Sequence, residues 1–434
     1  MTRAKHPVFK SKVAWDAPLL ASPTKLKFVT SMITSGSRDW AKFYSDFGDP
    51  FVRIANLDRG NLNLRLADLR RVDLPDAPEG ERAKVSENDL LLSITAYLGS
   101  IAVANQEVIG GYVSQHIALA RLDTATAYPK WVGYCLLSDI GQEQLIGDAY
   151  GGTKVQLALD DIRNLWFPLP PTSTQEVIAD YLDRETARID ALVGAKESML
   201  QLLEQKHAAM ISSAVTRGLD PKVSRKPSGL EWLGEIPGHW QIERGKNLFA
   251  VRDERSADGE EELLTVSHIT GVTSRAEKEV NMFKADDMTG YKRCMKGDFA
   301  TNTLWAWMGA MGISPLDGIV SPDYHVYTSK GQILPEFMEL LCRSKPFVAE
   351  VIRWSKGVWS SRLRLYPENF FEIRFPVPPK KEQEEIVAAI ATYMEKTAEL
   401  ADALVESIKL LKERRSALIT AAVTGRLDSA TLHA

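Results

Sequence analysis

The sequence predicts an α+β protein. Two mixed α/β globules alternate with two long helices that pair as an antiparallel coiled coil, giving a pseudo-two-fold repeat. Three observations predict this. Two segments align without a gap at a shift of 208 residues, Phe167 falling on Phe375. Each follows a Pro-Pro pair with about forty proline-free residues, the length of a long helix. Within each, apolar residues step by four and three, the spacing of a heptad seam.

A chain of 434 residues has room for two to three domains with full cores. Hydrophobic content of 44% and charged content of 25% argue against a disordered, collagen-like or membrane-embedded chain. The net charge of −4 means that any basic surface must be local. Cys135, Cys294 and Cys342 are odd in number and lack CxxC spacing. They support neither a disulfide framework nor a zinc knuckle, and they fit a reducing, cytoplasmic setting. No signal peptide or membrane span is visible, because the longest apolar stretch, residues 90–104, is broken by Ser93, Thr95, Tyr97 and Ser100.

In chain order, residues 1–165 form the first globule, with short β-rich runs at 51–54, 90–94 and 116–120. The first repeat opens Phe167-Pro168-Leu169-Pro170-Pro171, passes Gln175-Glu176 and closes on Ala214-Val215-Thr216-Arg217-Gly218. Ser173 and Glu176 have capping-box spacing, and Gly218 supplies the stop. Its seam is Ile178, Leu182, Ile189, Leu192, Met199, Leu203 and Met210. Residues 221–373 form the second globule, with β-rich runs at 263–266 and 324–327. The second repeat opens Phe375-Pro376-Val377-Pro378-Pro379, passes Gln383-Glu384 and closes on Ala422-Val423-Thr424-Gly425. Glu382, Glu384 and Glu385 at its start and Lys409, Lys412, Arg414 and Arg415 near its end complement the helix macrodipole. Its seam is Ile386, Ile390, Tyr393, Leu400, Leu404, Leu411 and Leu418. Paired, the two helices make a rod of about 60 Å. The alternative is two independent surface helices, each packed on its own domain.

The motifs of self-sufficient catalysis are missing from the sequence. There is no Phe-x-Gly-x-Gly cofactor loop and no Asn/Asp-Pro-Pro-aromatic tetrad, and Gly245-Lys246 is followed by Asn247 rather than by the Ser or Thr of a phosphate-cradling loop. Pro75-Asp76 and Pro322-Asp323 have no acidic-x-Lys within about 30 residues downstream, the pattern a metal-dependent nuclease uses. The seven histidines show no HxxxH or HExxH spacing, so no metal site is expected.

A Phe-Pro-x-Pro-Pro lead-in, then Gln-Glu, then a long helix closing Ala-Val-Thr, present twice, resembles the specificity (S) subunit of type I restriction-modification systems. The run Ser228-Gly229-Leu230-Glu231-Trp232-Leu233-Gly234-Glu235-Ile236-Pro237-Gly238-His239-Trp240 is similar to the usual start of a target recognition domain in that family. The first globule lacks this opening, with Trp15 to Phe28 only loosely similar. The resemblance implies target recognition domain 1 over residues 1–165, a central conserved spacer helix over 166–220, target recognition domain 2 over 221–373 and a C-terminal spacer helix over 374–428. It implies a non-catalytic subunit without a cofactor, which binds a bipartite site on double-stranded DNA through one domain per half-site. It also implies assembly with two modification (methyltransferase) subunits, which bring S-adenosylmethionine and methylate adenine, and with restriction subunits that use ATP and Mg. No membrane is involved.

DNA contact by a net-acidic chain needs local cations beside aromatic or amide groups that reach bases. In residues 343–364 six cations face the single acid Glu350, with Trp354, Trp359, Ser360 and Ser361 interleaved. Lys356, Trp359, Ser361, Arg362 and Arg364 are the candidates there. The counterpart in the first globule is Gly152, Thr153, Lys154 and Gln156, where glycine lets backbone amides approach a phosphate. Further candidates are Arg53, Asn56, Thr95 and Tyr97 in the first globule and His268 and Trp305 in the second. For Trp305 and Trp307 core packing stands as the equal alternative. His116 and His325 occupy similar strand contexts and suit a hydrogen-bonded strand histidine as well as a DNA contact. The competing function is a coiled-coil scaffold whose globules bind proteins.

Overall fold

The computed structural model describes residues 23–38, 40–74, 78–147, 156–277, 287–357 and 363–427. The chain forms two compact units, Met1–Glu197 with Val405–Ala434, and Ser198–Leu404. Each unit combines one globule with portions of both long helices.

In the first unit a four-stranded antiparallel sheet runs in the order Thr30–Ser35, Ile117–Leu122, Leu90–Ser93, Ile101–Val103. Side chains alternate across a strand, and here the alternation divides two cores. Leu90, Leu92, Ala118 and Ala120 enter the core that contains Trp131, Phe167, Ile178 and Leu182. Leu91, Ile117 and Leu119 enter a second core with Trp40, Phe51 and Val72. Burial on both faces explains why residues 90–92 are all leucine rather than an apolar-polar alternation. The second core is floored by another sheet, ordered Tyr44–Ser45, Arg70–Val72, Asp49–Val52, Tyr112–Val113, in which the last two strands are parallel.

The second unit repeats the first sheet. Its order is Phe249–Val251, Tyr324–Ser329, Phe299–Asn302, Met311–Ile313, again antiparallel throughout. Phe299 and Tyr327 face the core that takes in Ile386 and Ile390, while Ala300 and Val326 face a smaller core with Leu264 and Val272. Each globule is also closed by a two-stranded pairing onto the lead-in of its long helix. Pro23–Lys25 pairs with Trp166–Pro168, and Gln241–Arg244 with Arg374–Val377.

The long helices span Thr172–Arg217 and Lys380–Val423. The first begins ahead of the expected capping box. Pro171 C=O accepts from Thr174 N at 2.9 Å and Gln175 N at 3.1 Å, so Ser173 lies inside the first turn. Pro379 does the same for Glu382 N at 2.9 Å and Gln383 N at 3.0 Å. Gly218 (φ 75°) and Gly425 (φ 69°) turn the chain out in the left-handed region, as a C-terminal stop requires.

A buried glutamine fixes each helix start to its globule. Gln175 Nε2 donates to Thr126 O at 3.0 Å and Pro170 O at 2.7 Å, and its Oε1 accepts from Tyr128 N at 2.7 Å. Gln383, 208 residues later, donates to Gln332 O at 3.0 Å and Pro378 O at 2.9 Å and accepts from Leu334 N at 2.8 Å. Both side chains are buried.

The helices run antiparallel in both units. In the first, buried Arg415 forks onto Asp190 (Nε–Oδ1 2.8 Å, Nη2–Oδ2 3.2 Å) and Lys412 reaches Glu197 at 3.0 Å. In the second, His207 Nε2 meets Thr397 Oγ1 at 2.8 Å, and its ring stands edge-on to Tyr393. Ile178, Leu182, Ile189, Ile386, Ile390 and Leu404 are buried, and Leu203 and Leu411 half-buried. Three expected seam residues are corrected. Leu192 is 48%, Met199 49% and Leu400 47% exposed, while Val193 and Ile408 are buried. A helix of 3.6 residues per turn drifts off a 3.5-residue repeat, so the step of three from Ile189 leaves the seam where the step of four stays on it. The outward leucine pair keeps the repeat register, as do exposed Leu202 and Leu410.

Replacing Gln175 by Ala strands buried donors and acceptors. It should lower the stability of the first unit by about 3 kcal/mol in urea unfolding. Gln175→Glu should do no better, because a carboxylate keeps the acceptor for Tyr128 N and loses both donors.

Candidate nucleic-acid interface

The central hairpin of the first globule, Leu90–Ser93 with Ile101–Val103, ends in a tip that carries Thr95 and Tyr97. Thr95 forms an antiparallel bridge with Gln156, and Leu157 N donates to Ile94 O at 2.9 Å. Residues 61 apart in sequence therefore stand side by side at the tip. Thr95 Oγ1 lies 2.9 Å from His116 Nδ1, and Gln115 Nε2 lies 3.0 Å from His116 Nε2. In the neutral ring the Gln115 amide donates to Nε2, so the ring proton sits on Nδ1 and is donated to Thr95.

His116 and Arg53 line one cavity of about 340 Å³ together with Trp40, Tyr44 and Phe51. The guanidinium of Arg53 is held by Asp68, with Nη2 at 2.7 Å from Asp68 O and 2.8 Å from Oδ2. Asn56 is a correction. It is 1% exposed, its Oδ1 accepts from Arg53 N and its Nδ2 donates to Arg65 O. Its amide is spent in shaping the loop, so no edge remains for a base. Tyr97 projects to solvent with the Arg59 guanidinium 4.9 Å from its ring centre.

The second globule brings the repeat-related residues together in a related way, with different contacts. Thr303, Trp305 and Arg364 stand 208 residues after Thr95, Tyr97 and Gln156. Thr303 donates its hydroxyl to Asp323 O, and Leu365 N donates to Thr303 O at 3.3 Å. Thr303, His325, Arg364 and Tyr366 line a cavity of about 220 Å³. Lys356 and Arg364 exchange both backbone hydrogen bonds at 2.9 Å. Gly152, Thr153, Lys154, Trp359, Ser361 and Arg362 lie outside the described residues.

The basic run is less free than its composition implies. Arg343 pairs with Glu339 at 2.8 Å, and Arg353 pairs at 3.4 Å with buried Glu350, which also accepts from Trp354 Nε1. His268 is exposed and lines a cavity with Met308 and Gly309 of the second hairpin tip and with Arg343 and Lys345, apart from the cavity that holds Thr303 and Arg364. Trp305 is exposed, against the core-packing alternative, and its ring lies nearly parallel to that of Trp307 at 6.5 Å. Arg59, Thr303 and Tyr366 were not singled out from sequence. Carrying Thr95 forward by the repeat shift finds Thr303; Arg59 and Tyr366 have no comparable local signal.

Against this geometry the likeness to known proteins can be placed. Residues 48–200 match the model of the type I restriction modification DNA specificity domain, a stretch that includes the first hairpin tip and the start of the first long helix. This region is similar to such a specificity domain. The specificity subunit of the EcoBI type I restriction enzyme of Escherichia coli is 22% identical over 217 residues, which cover 49% of this chain and 43% of that protein. The match therefore spans less than half the length of that curated relative. Among solved structures, a chain from a study of complex assembly and conformational transition of the type I R-M system superposes with a TM-score of 0.67. It is 15% identical and covers 95% of this chain and 100% of that one. The HsdS subunit from Thermoanaerobacter tengcongensis gives a TM-score of 0.50 at 16% identity, over 93% of this chain and 97% of that one. These likenesses show the fold of the specificity domain together with its repeat and paired helices.

Burial, with Lys292 nearby, pushes His325 from 6.5 down to about 4. Between those values the unfolded chain binds the proton and the folded one does not, so stability falls as pH drops through that window. Thermal unfolding of the second unit should show this loss from pH 6.5 to 4. His325→Gln should flatten it.

Proposed function

We propose that this chain is the DNA-specificity subunit of a type I restriction-modification complex. It binds a bipartite site on double-stranded DNA, one half-site per globule, and directs two modification subunits and the restriction subunits to it. It performs no catalysis. S-adenosylmethionine, ATP and Mg reside on the partners. One observation carries the reading: at one repeat shift a residue with a different side chain stands beside each hairpin tip, Gln156 bridged to Thr95 in one copy and Arg364 lining a cavity with Thr303 in the other. Gln suits the donor-acceptor pair of adenine, and Arg the two acceptors of guanine.

The partner assignment is supported by the matched outward leucines of the long helices, an apolar surface that a helix of another subunit can cover. Among the described residues no helix is long and apolar enough to cross a membrane. The reading places the complex in the cytoplasm.

Mapping methylated adenines by single-molecule sequencing, in a host carrying the chain with its modification partner, tests the reading. Two fragments separated by an unread gap are expected; one continuous word overturns it. Arg364→Ala should relax one base position in one half-site by about 1–3 kcal/mol and leave the other half unchanged. Adding seven residues to each long helix should widen the gap by about three base pairs without altering either half-site, and an unchanged gap would refute the helices as spacer. A protein-binding scaffold would instead show no sequence preference and no steep loss of DNA affinity with salt.

A further inference from the structure

In each unit the hairpin tip presents an aromatic ring to solvent from an immobilised main chain. We propose that Tyr97 and Trp305 are paired stacking residues, one per half-site, each inserting against an unstacked base step of the bound duplex. This rests on the DNA-recognition reading and adds its mode of contact.

Tyr97 is 59% and Trp305 49% exposed, and the two stand in the repeat register. The other exposed rings among the described residues do not recur. At the same shift Phe28, Tyr44 and Phe47 meet Ile236, Arg252 and Arg255.

The backbone beneath each ring is pinned. Tyr97 O accepts from the hydroxyls of buried Ser93 and Ser100, the latter at 3.1 Å, and Ser93 Oγ also accepts from Ser100 N at 3.1 Å. The preceding Ala96 is held at φ 57°, a conformation a residue with a side chain keeps only when its surroundings enforce it. In the second unit Trp305 O accepts from Met308 N at 2.9 Å and Ala310 N at 3.1 Å, and Trp305 N donates to Asn302 O at 3.0 Å.

Holding an apolar ring in water on a rigid base is unfavourable for the free protein and favourable for a contact, since its ordering entropy is already spent. The rings adjoin the Thr95–Gln156 and Thr303–Arg364 groups, so a ligand read by those groups meets the ring as well. Every base has a π face, and an inserted side chain unstacks the step it enters, so the contact anchors each half-site whatever its sequence.

The test uses the full chain reconstituted with its modification subunits, on site DNA carrying 2-aminopurine at successive positions. Binding should brighten one position in each half. Tyr97→Leu should abolish the signal in one half and Trp305→Leu in the other, each with an affinity loss on the order of tenfold, while Tyr97→Phe retains both. Thermal unfolding of all three should be unchanged because the side chains are exposed. Wild-type binding with no brightening overturns the proposal, as do leucine variants within twofold of wild type or brightening that survives them. Absence of any sequence-selective binding by the wild-type complex brings down the underlying DNA reading as well.

Discussion

The constraint on which the remainder depends is the buried glutamine at the start of each long helix. A helix start leaves backbone donors unpaired, and the loop ahead of the short helix beside it leaves further groups to be satisfied. Pro171 and Pro379 take up the first donors of the long helices, while Gln175 and Gln383 serve the loop and a lead-in carbonyl with one amide each, tying helix, proline lead-in and globule loop into one piece. Apolar contact alone tolerates sliding, and in the first unit Asp183, which accepts from Lys130 and Tyr134, adds to the tie. With it the sheet is indexed to the helix, and the hairpin tip is indexed to the sheet.

The two-core sheet carries that positioning outward. Because Leu90 and Leu92 face one core and Leu91 the other, a one-residue slip would exchange both sets of contacts, so the hairpin register is fixed from either side. The tip inherits this precision although it lies at the surface. Along the helices the Arg415–Asp190 fork acts similarly, since a bidentate contact at a buried seam position is lost when the helices shift.

Much of this was legible in the sequence, in uneven ways. The repeat shift located both helices, and the stops at Gly218 and Gly425 followed from glycine's access to the left-handed region. The Gln-Glu pair stood out as part of a motif, but nothing local says that the glutamine clamps a loop some fifty residues upstream. Ser173 misled because the carbonyl of Pro171, two residues earlier, opens the helix. Leu192, Met199 and Leu400 misled because composition cannot separate an inward apolar residue from an outward one when the period is ambiguous. Asn56 was chosen for an amide that suits a base edge, and the fold uses that amide internally. Thr95 and Gln156 were each named without any sign that they meet, because a bridge between distant residues depends on the closed sheet.

One feature of the repeat reaches past the protein. A duplex backbone looks alike from either end, so a reader with identical halves could settle on it both ways round. At one register this chain carries Gln156 with Tyr97 and, in the second copy, Arg364 with Trp305. On the proposed reading those unlike halves give the bound complex a heading: only one of two opposite orientations satisfies both tips, so upstream and downstream are told apart before any chemistry begins.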